Sequence, residues 1–268
     1  MKNQILKKAA PAFIFALLTT VAHSAGELSA RQIMEKNFYA TKVKAFKATS
    51  TMVLINAGGE KRERKLNNIQ KLQENGIDSK FLAKFLEPAD VRGTGFLQIE
   101  HSAADDDQWI FLPALQKSRR LVANNKKDSF FGSDFSYGDI SLPKVDAYKH
   151  KLTGSEAVDG ADCYIIESVP ATAQLKDDTG YSKKISWIRK DNFIEVKVDY
   201  YDLNGELFKT QNVSGYHQAS SNPDRWLVDH REMKNVQTGH QTLFDFANVD
   251  IKSPVDEALF TTRSLERP

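Results

Sequence analysis

The chain has 268 residues, 41% of them hydrophobic and 27% charged, with a formal net charge of +2. These are the proportions of a soluble globular protein, long enough for one large domain or two small ones. The slight positive charge comes from the first residues: without 1–25 the chain holds 34 basic and 35 acidic residues, which gives no support for nucleic-acid binding.

Lys2, Lys7 and Lys8 precede an apolar run from Ala9 to Val21, too short for a membrane span and right for the h-region of a signal peptide. Small residues at Ala22, Ser24 and Ala25 predict cleavage after Ser24 or Ala25. Residues 1–25 are thus expected to be a signal peptide and 26–268 a single domain outside the cytoplasm. No cysteine lies near the cleavage site to carry a lipid, and Cys163 alone can form no intramolecular disulfide.

Leu28 to Lys42 reads as a helix capped by Ser29, with Ile33, Met34, Phe38 and Tyr39 on one side. From Phe46 the period becomes two. Strands are expected over Lys47–Asn56, Lys61–Glu74 and Ser79–Leu86, turned at Gly58-Gly59 and Asn75-Gly76 and stopped at Glu87-Pro88. Later pairs are expected around Asp159-Gly160, Lys190-Asp191-Asn192, Asn204-Gly205 and Thr238-Gly239. In Phe193–Asp202, Ile194, Val196, Val198 and Tyr200 alternate with Glu195, Lys197 and Asp199, as in a sheet with one buried side. Val255–Leu265 reads as a short turn of helix. The sum is a mainly β chain with some α: a curved antiparallel meander of about ten strands.

Between Arg92 and Asp139 the chain is more distinctive. Gly93 and Gly95 flank a short extended segment, where glycine permits a bulge or a close backbone approach. Trp109 to Leu112 is strand-like and stops at Pro113, and Arg119-Arg120 precede an aromatic, glycine-rich loop over Ser129 to Tyr137. No nucleophile elbow, His-Glu-x-x-His or cysteine pair is present, and His101, His150, His217, His230 and His240 are scattered singly. Asp105-Asp106-Asp107 lacks calcium-loop spacing and reads as a solvated turn. Ser133, Asp134 and Asp139, near Arg119 and Arg120, are the candidates for an acid and arginine cluster of catalytic type, but the two aspartates are expected to cap turns while the arginines pair with them or face water. No enzyme activity and no cofactor are expected.

The succession Arg92-Gly93-Thr94-Gly95-Phe96-Leu97, then Trp109 with Phe111-Leu112-Pro113 and Arg119-Arg120, then Ser129-Phe130-Phe131-Gly132-Ser133-Asp134-Phe135-Ser136-Tyr137-Gly138-Asp139 resembles the LolA-like outer-membrane lipoprotein-sorting proteins of Gram-negative bacteria. The resemblance implies an unclosed β-barrel with helices covering the open side around an apolar cavity. It implies a periplasmic carrier of lipid or lipoprotein cargo, in transient contact with membranes and partnered by an inner-membrane RND-superfamily exporter. A sensor or adaptor, similar to the periplasmic envelope-stress regulators that share this half-barrel, is the alternative.

Strand parity selects Met52, Leu54, Phe81, Phe85, Trp109, Phe111, Trp187, Val196, Val198, Tyr200, Phe244 and Phe246 as the expected cavity lining, with the warning that a one-residue slip inverts any strand. The loop residues Phe130, Phe131, Phe135 and Tyr137, with Arg119 and Arg120, are expected to form a lid or a partner contact.

Overall fold

The computed structural model describes residues 27–122 and 126–267; the expected signal peptide, 1–25, lies outside the described residues. Helix α1 (Ala30–Ala40) begins at a reciprocal cap: Ser29 Oγ accepts from the Gln32 amide, and the Ser29 amide donates to Gln32 Oε1 at 2.9 Å. Thirteen strands follow. They are β1 (Ala45–Ile55), β2 (Lys61–Leu72), β3 (Ser79–Glu87), β4 (Gly95–Ile99), β5 (Asp107–Leu112), β6 (Lys117–Leu121), β7 (Tyr148–Val158), β8 (Ala161–Pro170), β9 (Lys183–Arg189), β10 (Glu195–Tyr201), β11 (Leu207–Ser221), β12 (Asp224–Asn235) and β13 (Gln241–Asp250). Short helices α2 (Tyr137–Ile140), α3 (Ala173–Thr179) and α4 (Thr262–Leu265) complete the elements.

The strands form one antiparallel sheet in the order β6-β5-β4-β3-β2-β1-β13-β12-β11-β10-β9-β8-β7. Strands β6 and β7 stand at opposite edges, so the sheet is unclosed, as expected. The count exceeds the expected ten because the 92–121 stretch holds three strands of five or six residues, too short to show a period. Gly93, at φ +82°, makes the turn into β4. A Cβ on Gly95 would lie 2.5 Å from Leu265 Cδ1, so its missing side chain admits α4.

The sheet curls strongly. Ser141 Oγ accepts from Gln98 on β4 and Gln108 on β5, at 2.8 and 2.9 Å, while Asp139 Oδ2 accepts from Lys209 Nζ on β11 at 2.8 Å. Strands β4 and β11 are six places apart, about 29 Å in a flat sheet at roughly 4.8 Å per strand. Two residues of extended chain reach only about 7 Å. Only a curved sheet lets one short segment bond to both.

Register divides each strand into an inner and an outer set. The inner face is covered twice. Helix α1 lays Ile33 on Leu152, Ile166 and Ile188 of β7, β8 and β9, and the segment 129–142 fills the centre with Phe130, Phe135 and Tyr137 against Met52, Phe85, Phe96 and Phe244. Outside, Val255, Phe260 and Leu265 of the C-terminal segment cover Leu82, Leu97 and Phe111.

Candidate functional site

Two adjoining cavities lie on the inner face, separated by residues 139–142. The first has an open volume of about 150 Å³. Its apolar wall is Phe46, Phe81, Phe130, Phe135, Phe244 and Phe246, and the Phe244 and Phe246 rings stack at 5.0 Å. The second, about 90 Å³, is lined by Phe38 and Met34 of α1 and by Lys184, Glu195, Val198, Tyr200 and Arg231. Thr41, Asp139 and Arg231 border both, which marks the junction.

The expected cavity residues fall into four groups. Phe81, Phe244 and Phe246 line the first cavity, and Val198 and Tyr200 the second. Met52, Leu54 and Phe85 share the inner face but pack in the core around the 129–142 segment. Trp109, Phe111, Trp187 and Val196 are on the outer face, and each displacement has a cause. Trp109 and Phe111 sit on β5, which is apolar on both sides because the C-terminal segment covers the outer one, so alternation carries no direction there. On β9 the parity is inverted: Lys184 and Ser186 face inward, and Trp187 faces out beneath Lys197 Nζ, 4.0 Å above its ring. A register shift between Glu195 and Lys197 turns Glu195 in and Val196 out.

The aromatic loop is a plug and not a surface lid. Phe130 and Phe135 are 1% exposed, and Phe130 meets Phe96 edge to face at 5.4 Å. Phe131 is half-buried against Phe85, and its carbonyl accepts from Arg64 Nη1. Arg119 and Arg120 are exposed on the edge strand; Arg119 stands opposite Ile110 at the margin of this core, and Arg120 pairs with Asp107. They do not join Asp134 or Asp139. Asp139 caps α2 through the Ser136 amide, and Asp134 Oδ2 accepts from Thr242 Oγ1 at 2.7 Å.

The residues that parity missed are polar. Asp139, with its side chain 1% exposed, pairs with Lys209 at 2.8 Å and accepts from the Tyr181 hydroxyl at 2.9 and 3.0 Å. Burial alone would raise the Asp139 carboxyl, but Lys209 and Lys184 together hold it below the usual carboxylate range. Lys184 lies over the rings of Tyr148, Tyr181 and Tyr200 at 5.1 to 5.4 Å. Burial pushes the Glu195 carboxyl up, against the pull of Ser186, Lys184 and Arg231. Burial pushes the Arg231 guanidinium down. One signal for Arg231 was present: it precedes Met233 by two, and the Thr238-Gly239 hairpin pairs it with Phe244 on the dry face.

A family model described as an uncharacterized protein family matches residues 77–267. Among curated proteins, none matches this chain. Of solved structures, a domain assigned to the outer membrane lipoprotein-sorting proteins from Vibrio parahaemolyticus is 30% identical, with a TM-score of 0.81, over 89% of this chain and 98% of that one. A DUF1329 family protein from Desulfovibrio piger is also 30% identical, with a TM-score of 0.80, over 88% and 97%. A LolA superfamily protein from Nitrosomonas europaea, 19% identical with a TM-score of 0.67 over 88% and 98%, shares the fold. The chain therefore belongs to the outer-membrane lipoprotein-sorting protein family.

Proposed function

We propose that this protein is a periplasmic carrier that takes up acyl chains of a lipid or lipoprotein on the inner face of its sheet and moves them between the inner and outer membranes. The observation that carries the reading is the first cavity, walled by phenylalanine rings on the inner face of the sheet. Each exposed CH₂ of an acyl chain costs about 0.8 kcal/mol in water. A carrier must shelter that chain and still release it, which non-directional ring contacts permit; no bond need be made or broken. A cargo larger than the open volume displaces the 129–142 plug, whose own rings then lose the same contacts, and this balance keeps binding reversible.

The family's lipoprotein-sorting description and its LolA-type fold support this assignment. The finer parts, an RND-superfamily exporter as the inner-membrane partner, transient membrane contact and export through a cleaved leader, belong to the same proposal.

Native mass spectrometry of the protein recovered from a Gram-negative periplasm, followed by lipid extraction, tests it. A copurifying lipid or acylated peptide of defined mass is expected. A bare protein that also takes up nothing from membrane lipids and acylated lipoproteins would overturn the carrier reading.

A further inference from the structure

Among the described residues, four buried side-chain polar atoms lack a hydrogen-bond partner: Thr41 Oγ1, Asn68 Oδ1, Ser118 Oγ and Arg231 Nε. Three of the four belong to residues that line the first cavity, and Thr41 and Arg231 also line the second. Buried polar groups in folded proteins are almost always paired, and leaving a charged one unpaired is costlier still. A concentration of exceptions in one place points to a polar group that arrives from outside.

Arg231 is the sharpest exception. It stands on β12 between Val213 of β11 and Phe244 of β13, with no hydrogen bond or ion pair among the described residues. Its Nη atoms do not count among the fully buried orphans, so they open on the cavities that the residue borders. Lys184 and Arg231 line the second cavity together with two carboxylates, Asp139 and Glu195; Asp139 is committed to Lys209, and Glu195 makes no ion pair within 4 Å, so the Arg231 guanidinium has no dedicated counter-charge. A planar guanidinium with free donors, at the border of a ring-lined cavity and a polar one, fits a carboxylate or phosphate in geometry as well as sign.

We propose that the junction of the two cavities binds the oxyanion head of an amphiphilic cargo, a carboxylate or a phosphate held by the Arg231 guanidinium, with its acyl tail in the phenylalanine-lined cavity. The inference rests on the carrier reading and narrows its cargo to anionic amphiphiles.

The test is calorimetric titration of the exported protein, freed of copurified lipid, with decanoate, decyl phosphate, 1-decanol and inorganic phosphate. Decanoate and decyl phosphate are expected to bind at least about tenfold more tightly than 1-decanol, as charge-assisted hydrogen bonds imply. Inorganic phosphate is expected to bind far more weakly than decyl phosphate, because it has no tail to bury. Arg231→Met should bring the two anions down to the affinity of 1-decanol and leave 1-decanol unchanged, while Arg231→Lys should keep part of the preference.

Equal binding of decanoate and 1-decanol by the unsubstituted protein would sink the head-group site and leave the carrier reading standing. Binding of no decyl compound would sink both. An undiminished preference in Arg231→Met, or inorganic phosphate binding as tightly as decyl phosphate, would also overturn the site. Should Arg231→Met fail to fold, the four-ligand comparison on the unsubstituted protein decides alone.

Discussion

The two halves of the inner face are built from opposite materials. Across β1 to β5 and β13 the inward residues are Met52, Leu66, Phe85, Phe96, Ile110 and Phe244, and the plug meets them with more rings. Across β9 to β12 the same face carries Lys184, Glu195, Lys209 and Arg231, answered by Asp139 on the plug. One half is held mainly by dispersion and burial, which tolerate sliding, with hydrogen bonds from Gln98 and Gln108 to Ser141 and from Thr242 to Asp134. The other is held by charge, which does not tolerate it. The segment 129–142 touches both, so the apolar half sets how much space is open and the charged half fixes where the segment stands.

The strongest way to break the charged half is Asp139→Asn. It leaves Lys209 buried to 5% exposure beside a neutral amide, and removing one partner of a buried pair typically costs about 3 to 5 kcal/mol. Urea unfolding at neutral pH should show that loss. A cost below about 1 kcal/mol would mean that the pair does not anchor the plug. The apolar half is broken by Phe135→Ala, whose ring stands edge to face on Phe244 at 6.2 Å and is 1% exposed. A loss of about 3 kcal/mol is expected, and 1-decanol should recover part of it by filling the space left behind. If decanol binds no better to Phe135→Ala than to the unsubstituted protein, the plug and the cavity are not continuous.

Acid separates the two buried carboxylates because their shifts have opposite sign. The Asp139 carboxyl is depressed in the folded state, so its contribution is complete above the unfolded value near 3.9 and is lost as pH falls through the lower folded value. The Glu195 carboxyl is raised, so its contribution is complete below the unfolded value near 4.3 and is lost as pH rises through the higher folded value. Stability curves taken from pH 3 to 8 should therefore show the deficit of Asp139→Asn shrinking toward acid. Glu195→Gln should remove a loss on the alkaline side. The reverse pattern would assign the charges wrongly.

The same contrast explains what the sequence disclosed. Turns were legible because glycine at positive φ has few alternatives: Gly76, Gly160, Gly205 and Gly239 all adopt it, between β2 and β3, β7 and β8, β10 and β11, and β12 and β13. The helix start was legible because Ser29 and Gln32 satisfy each other locally. Direction was not legible. Parity says that Trp187 and Ser186 face opposite ways and is silent on which way is in, and on β9 the apolar side is the outer one. Phe130 and Phe135 read as exposed because they lie in a loop with no period, and only the curl of the sheet around them makes that loop core. Asp139 and Lys209 are 70 residues apart and meet only when the sheet has curved.

The three tryptophans offer the smallest and cleanest test of that inside and outside assignment. Trp226 borders the first cavity and also packs, edge to face on Tyr216 at 6.4 Å, with the cluster that holds Trp187; Trp187 is on the outer face with its Nε1 donating to Glu156 at 3.0 Å, and Trp109 packs with the cluster that the C-terminal segment covers. Of the three, Trp226 is the one that borders the first cavity, so an apolar ligand entering it acts directly on that indole. Decanol should therefore shift the fluorescence of the unsubstituted protein, and Trp226→Phe should abolish the shift. Trp187→Phe should keep it whole while costing about 1 kcal/mol for the lost hydrogen bond. A shift that survives Trp226→Phe and disappears with Trp187→Phe would place the ligand beside Trp187, the residue that parity alone had assigned to the cavity.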